Sequence, residues 1–269
     1  MIKKLSPLFC SLVLAYLSFV LGGCGAAVLS DEGLAKQAGN QFNQMKKKEK
    51  VSTNTSHNRM IQRIGKRITD VAEVDIQGTE WEFVVFDKPE PNAFAMPGGK
   101  VGVYAGILQI TQTEAGLATV LAHEVAHAVA HHGAERISRV LVVQGIGLLA
   151  ISQFTKMDAT SKNALIVAYG LGTTLGTELP HSRLQESEAD RIGLIYMARA
   201  GYDPAEAVKF WERFAEHNRA QGGSRTPWFL RTHPLDEQRI EDLKRLLPEA
   251  QLQYRPRGKE DPTTTRPTA

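Results

Sequence analysis

Cysteine is almost missing from this chain of 269 residues: Cys10 and Cys24 are its two, so nothing after residue 24 can form a disulfide or give a thiolate to a metal. Any metal held by the body of the protein must be bound by histidine and carboxylate side chains. An excess of one charge sign is also lacking. The formal net charge is +3 and spread out, with Lys46 to Lys50 and the arginine-containing tail as its main basic clusters, which gives no footprint for nucleic acid. No internal repeat is visible, and no apolar run is long enough to favour a permanent transmembrane helix. At 23% charged and 42% hydrophobic residues, the composition suits one ordinary globular domain with a substantial core.

What is present centres on His123-Glu124-Val125-Ala126-His127. Positions four apart lie on one face of a helix, so His123 and His127 can converge on one cation about 2 Å from each ring nitrogen. Glu124 then sits beside the metal, where it can take a proton from a water whose pKa the cation lowers and pass it to a leaving amine. This is the pattern of a zinc hydrolase. Thr113 to Ala130 reads as an amphipathic helix, with Thr113 able to cap it, Glu114 in its first turn and Leu117, Val120, Leu121, Val125 and Val129 as apolar positions.

The N-terminal end carries an address. Lys3 and Lys4 precede an apolar run from Leu8 to Leu21 that ends at Leu21-Gly22-Gly23-Cys24, which resembles a bacterial lipoprotein signal peptide, residues 1–23, with acylation of Cys24 after cleavage. Gly25 after that cysteine resembles an outer-membrane address of the enterobacterial kind, on the periplasmic face.

Residues 24–58 are polar and lysine-rich and can be a tether or an N-terminal helix laid across the domain. A domain from 59 to 250 follows. Arg59 to Val71 has helical spacing, and Trp81 to Phe86 reads as a buried strand. Ala93 to Met96, a Pro97-Gly98-Gly99 turn and Val101 to Tyr104 read as a hairpin feeding directly into the helix of His123. Two apolar stretches, Val140 to Ile151 and Ala164 to Leu175, are each too short to span a bilayer. Core packing is the favoured reading, with membrane contact or covering of the site left open. A helix is expected from Ser182 to Gly201, and another to about Asn218 with Asp203 as its cap and Pro204 first in it. Pro248 and the Pro- and Thr-rich end mark a disordered tail, residues 251–269.

Two histidines leave zinc short of a protein ligand. The stretch Glu186-Ser187-Glu188-Ala189-Asp190 offers carboxylates, of which Glu186 and Asp190 share a helical face while Glu188 points away from both. One of that pair can bind metal while the other orients a ligand histidine. Spacing alone does not choose Glu186 over Glu188.

Four blocks, in order, carry a resemblance: Asn92 to Gly99; His123 to His127; Ser182-Arg183 with Glu186 to Asp190; and Thr232-His233-Pro234-Leu235 with Arg239. Together they resemble the membrane-associated HExxH zinc metallopeptidases of the CAAX prenyl protease, HtpX and Oma type, most of all the bacterial periplasmic lipoprotein proteases that include the beta-barrel-assembly-enhancing kind. The resemblance implies an α+β fold, a mainly helical zincin-like (gluzincin) domain with a small β-sheet or hairpin beside the active-site helix. It implies one Zn2+ per chain on His123, His127 and Glu186, with Glu124 as general base and acid and Asp190 and Arg239 behind the ligands. Asn92, Ala93, Phe94, Ala95 and Met96 would form the edge strand that takes up an extended peptide. His233, paired with Arg239, would stand near the oxyanion or swing onto the zinc and hold the enzyme latent. The expected partners are unfolded or misassembled envelope proteins, the membrane through the lipid on Cys24, and the outer-membrane assembly machinery. A latent lipoprotein acting as a chaperone or assembly factor is the alternative.

The other histidines carry less. His131 continues the stagger from His127, but a helix-end charge is its commoner role. His57, His132, His181 and His217 have no partner readable from the sequence, and His181 is the nearest rival for a place at the metal because it adjoins Ser182-Arg183.

Overall fold

The computed structural model describes residues 30–138, 158, 160–161, 181–221 and 227–256. The leader 1–23, Cys24, the stretches 140–151 and 164–175 and the Pro/Thr-rich end lie outside the described residues.

Helix α1, Asp31–Lys48, has Ser30 as its cap, acids in its first turn and Lys46 to Lys48 in its last, a charge order that suits the helix dipole. One stripe buries Leu34, Ala38 and Phe42, and the Phe42 ring meets Phe86 and Phe94 edge-on. The segment left open between tether and helix therefore contains a helix laid against the sheet. Helix α2, Thr55–Ala72, is capped by Asn54 and starts earlier than the apolar spacing from Arg59 indicates, because its first turn is polar and exposed.

Strands β1 (Glu82–Phe86), β2 (Ala93–Met96) and β3 (Lys100–Tyr104) form a sheet in the order β1-β3-β2, with β1 parallel and β2 antiparallel to β3. Val51 bridges Phe86 and the Ser52 amide donates to Val85, so the outer side of β1 is partly covered, while β2 ends the sheet on the other side. The β2–β3 turn needs left-handed backbone at Gly98 (φ +77) and Gly99 (φ +76), which glycine adopts without strain. The hairpin does not feed directly into the long helix. A 3-10 turn, Ala105–Ile107, and a short helix α3, Leu108–Thr111, intervene, and Arg213 donates to the carbonyls of Ile110 and Thr111 where α3 ends.

Helix α4, Glu114–Val129, has the expected Thr113 cap, which accepts from the Gly116 amide. It is not amphipathic. Every residue from Gly116 to His127 is buried, because α2, β2 and the two later helices α5 (Arg183–Arg199) and α6 (Ala205–Ala220) pack round it and leave no solvent face. Ser182 and Gln185 close a capping box on α5. Gly193 sets how near α5 comes to α4: a Cβ there would lie 3.2 Å from the backbone of Ala122 and His123. In α6, Pro204 takes the cap position and Asp203 Oδ1 accepts from the Ala205 amide, one residue along from the expected arrangement.

Helices α7, Trp228–Thr232, and α8, Glu237–Gln253, close the domain. Pro248 does not break the chain into a tail beginning at residue 251, as the sequence suggests, since α8 runs through Pro248 to Gln253. Burial of Ala250 and packing of Leu246, Leu247 and Tyr254 on the core offset the hydrogen bond that proline removes. The fold is thus α+β and mainly helical, with the small sheet beside α4. No described helix is long and apolar enough to cross a membrane.

Candidate metal centre

Helix α4 turns His123 and His127 to one side, and their Nε2 atoms lie 3.0 Å apart. The close α4–α5 approach at Gly193 brings Glu186, one turn into α5, against both: its Oε2 is 3.4 Å from His123 Nε2 and its Oε1 is 3.3 Å from His127 Nε2. His233, at the C-terminal end of α7, completes the group with Nδ1 at 3.1 Å from His123 Nε2 and 3.0 Å from Glu186 Oε1. All four side chains are buried, and one ligand atom from each lies within 4.8 Å of every other.

These separations and donor types fit a small cation. Metal–ligand distances of about 2.0–2.1 Å put tetrahedral donors roughly 3.3 Å apart. Three imidazoles and a carboxylate, with no thiolate, suit zinc. Buried polar atoms also remain without a hydrogen bond, among them Glu186 Oε2, Glu124 Oε1 and His123 Nδ1, although each has an ionic neighbour within 3.3 Å. The surrounding charges favour a cation too. Burial opposes ionisation of Glu186, yet His233, Arg239, His123 and His127 hold its carboxyl far below the usual carboxylate range. Burial likewise opposes charge on His123, but the carboxylates of Asp190 and Glu186 beside it outweigh burial and raise that imidazole to about 9. Burial keeps His127 neutral, well below the ordinary histidine value.

Behind the donors stand Asp190 and Arg239. Asp190 Oδ1 lies 3.0 Å from His123 Nδ1, and burial, which would raise its carboxyl, is overcome by Arg239 and His123. Arg239 donates to both oxygens of Asp190 at 2.8 Å, approaches Glu186 Oε2 at 2.6 Å, donates to the Pro234 carbonyl and lies over the Trp211 ring with Cζ at 4.1 Å from its centre. All three of its nitrogens are thereby engaged, so Arg239 braces the two carboxylates and is not free to meet an oxyanion beside His233.

Glu124, buried, places Oε1 3.3 Å from His233 Nε2. His233 therefore touches the donor group with one nitrogen and Glu124 with the other. A cavity of about 1120 Å3 opens beside them, lined by Glu124, His127, His181 and His233 on one side and by Asn92 with Phe94 to Lys100 on the other. The terminal strand β2 and the donor group thus share one cavity. Asn92 precedes β2, its carbonyl accepts from the Tyr104 amide, and its buried Oδ1 has no hydrogen-bond partner.

Two residues without a readable role in the sequence, His132 and Glu188, meet on the far side of His127, and His181, the nearest rival for a place at the metal, also lies against it. His132 Nδ1 lies 2.8 Å from His127 Nδ1, and His132 Nε2 lies 3.2 Å from Glu188 Oε2. Glu188, expected to point away, is joined to the centre through that histidine. His181 stacks on His127 with ring centres 4.0 Å apart, and burial with His233 and Arg136 nearby lowers it to about 3, so it is neutral. No periodicity signals these contacts, because a backbone turn at His131 and an unrelated helix start create them. His57 and His217 are not among the four donors; His217 meets Gln221.

The model of peptidase family M48 matches residues 55–247, from the first residue of α2 well into α8. Over 183 residues the chain is 40% identical to the mitochondrial metalloendopeptidase OMA1 of Saccharomyces cerevisiae, covering 66% of this chain and 50% of that one. It is 32% identical over 178 residues to human metalloendopeptidase OMA1, mitochondrial, covering 65% and 34%. Identity to the beta-barrel assembly-enhancing protease of Yersinia pestis is 30% over 187 residues, covering 68% and 37%. This chain spans about half or less of the length of these relatives. With the match running through every element that carries a donor, the chain belongs to peptidase family M48.

Proposed function

We propose that the protein is a zinc-dependent metalloendopeptidase, held by lipid on Cys24 at the periplasmic face of the bacterial outer membrane, that hydrolyses peptide bonds of misfolded or stalled envelope proteins. The observation that carries the reading is the buried His123, His127, Glu186 and His233 group with Glu124 beside it. One zinc per chain would be held by the first three, with the His233 ring against them at rest. When bound, zinc supplies Lewis acidity to the scissile carbonyl and to the attacking water. Glu124 accepts the proton of that water and hands it to the leaving amine. Asp190 and Arg239 hold His123 and Glu186 in place. An extended substrate pairs with β2 main chain to main chain, with the free Oδ1 of Asn92 as a further acceptor. Strand addition reads backbone more than side chains, which suits unfolded polypeptide. The envelope address rests on the Leu21 to Cys24 pattern.

On this reading His233 must leave the donors before substrate enters, and its contacts with His123 and Glu186 support a latent resting arrangement. Swung out, it stays at the cavity wall as a donor for the oxyanion. The same contact favours the second reading, a non-proteolytic chaperone or assembly factor with a permanently closed centre. Glu124→Gln decides between them. It should keep zinc and lose cleavage of an unfolded substrate such as casein. Cleavage by that variant contradicts the mechanism, and a zinc-loaded parent that never cleaves supports the second reading.

A further inference from the structure

The unassigned group on the far side of His127 has a defined chemistry. His131 takes a left-handed backbone (φ +56), α4 ends, and residues 132–138 start a new helical segment. On an unbroken helix the residue four after His127 would lie about 40° round from it and the residue five after about 140° round, so His131 would face His127 and His132 would not. The left-handed residue exchanges them. The His131 side chain points out, 53% exposed and 3.7 Å from Asp31, while His132 turns inward and is 2% exposed.

Proton positions then follow from the contacts. His127 Nε2 faces the other donors, so its lone pair is the one open to a metal and its proton belongs on Nδ1. That N–H donates across 2.8 Å to His132 Nδ1. His132 must therefore carry its own proton on Nε2, where it donates across 3.2 Å to Glu188 Oε2. His123 is supported differently, by the buried carboxylate of Asp190. One candidate ligand leans on a charge, and the other on a neutral ring backed by a carboxylate whose side chain is 58% exposed.

We propose that His132 and Glu188 are positioning residues of the metal centre, a Glu188–His132–His127 chain that fixes the ring angle and tautomer of His127. The inference rests on His127 being a metal ligand. A metal-ligating histidine whose outer N–H loses its partner binds metal roughly ten- to a hundredfold more weakly.

The test uses the purified full chain and His132→Leu, His132→Gln and Glu188→Gln, with zinc affinity from chelator competition, the visible spectrum of the cobalt-substituted protein, and thermal unfolding of the metal-free form as control. His132→Leu should weaken zinc about ten- to a hundredfold and alter the cobalt spectrum. His132→Gln, whose amide oxygen can accept from His127, should recover to within about threefold of the parent. Glu188→Gln, on the surface, should fold normally and weaken zinc roughly threefold or more, because its amide can donate to His132 and loosen the tautomer. Equal losses in both His132 variants would mean packing alone and overturn the proposal, as would unchanged affinity and spectrum in Glu188→Gln, which keeps the test open if His132→Leu does not fold. A parent that binds zinc and is matched by all three variants overturns this inference alone; a parent that binds none overturns the metal centre with it.

Discussion

At the scale of the residue, the proposed function makes the position of His233 the feature that sets how the centre rests. Its Nδ1 stands among the donors and its Nε2 stands by Glu124, so on that reading one imidazole would obstruct both the metal and the base. Removing it should open the site. On the proposed function, His233→Ala is nonetheless expected to cleave casein more slowly than the parent under equal zinc, because the loss of one oxyanion donor costs about 10²–10³ in rate and outweighs the gain in open enzyme unless the capped form exceeds about 99%; a rate above the parent's, read in the same assay, would make His233 a cap and not a donor. The candidate ligands His123 and His127 were legible from spacing alone, since the helix repeat puts them on one face. Glu186 and Glu188 were not separable that way. What separates them is the packing of α5 on α4, which sends Glu186 inward and leaves Glu188 at the rim, against His132.

Elements carry the precision that single residues cannot. Helix α4 lies buried over its whole middle, so its own hydrophobic pattern gave the wrong expectation of a solvent face, while its cap at Thr113 was readable from local chemistry. The contact at Gly193 and the left-handed turn at His131 were invisible, because a short backbone approach and a positive φ leave no periodic trace in side-chain polarity. That turn makes a prediction of its own. A non-glycine residue in left-handed backbone is strained by about 1–2 kcal/mol, and the exposed contact of His131 with Asp31 returns little of it. His131→Gly should raise thermal stability by about 0.5–1 kcal/mol and leave zinc affinity unchanged. Calorimetry of both proteins checks it; a loss of stability would mean that the turn is held by the histidine side chain itself.

Across the whole molecule, four stretches far apart in sequence meet at one cavity or at the donor group beside it: the terminal strand β2, the middle of α4, the start of α5, and the α7–α8 corner. Their convergence was legible through the resemblance of the four blocks and not through any property of one block. The burial of several imidazoles in one place also shapes global stability when metal is removed. His123, raised to about 9, contributes stability that is full below its unfolded value near 6.5 and is lost as pH rises through 9. His127 and His181, pushed down, contribute stability that is present above about 6.5 and lost as pH falls. The melting temperature of the chelator-treated protein should therefore peak near pH 6.5 and fall on both sides. A profile that keeps rising from pH 7 to 9 would contradict that balance.

The proposed function requires His123, His127 and Glu186 to bind zinc, and metal content reads that most directly. Mass-spectrometric metal analysis of the purified parent and of Glu186→Ala, both dialysed against the same zinc buffer, should find about one zinc per parent chain and almost none in the variant. Full zinc in Glu186→Ala, or none in the parent, would contradict it.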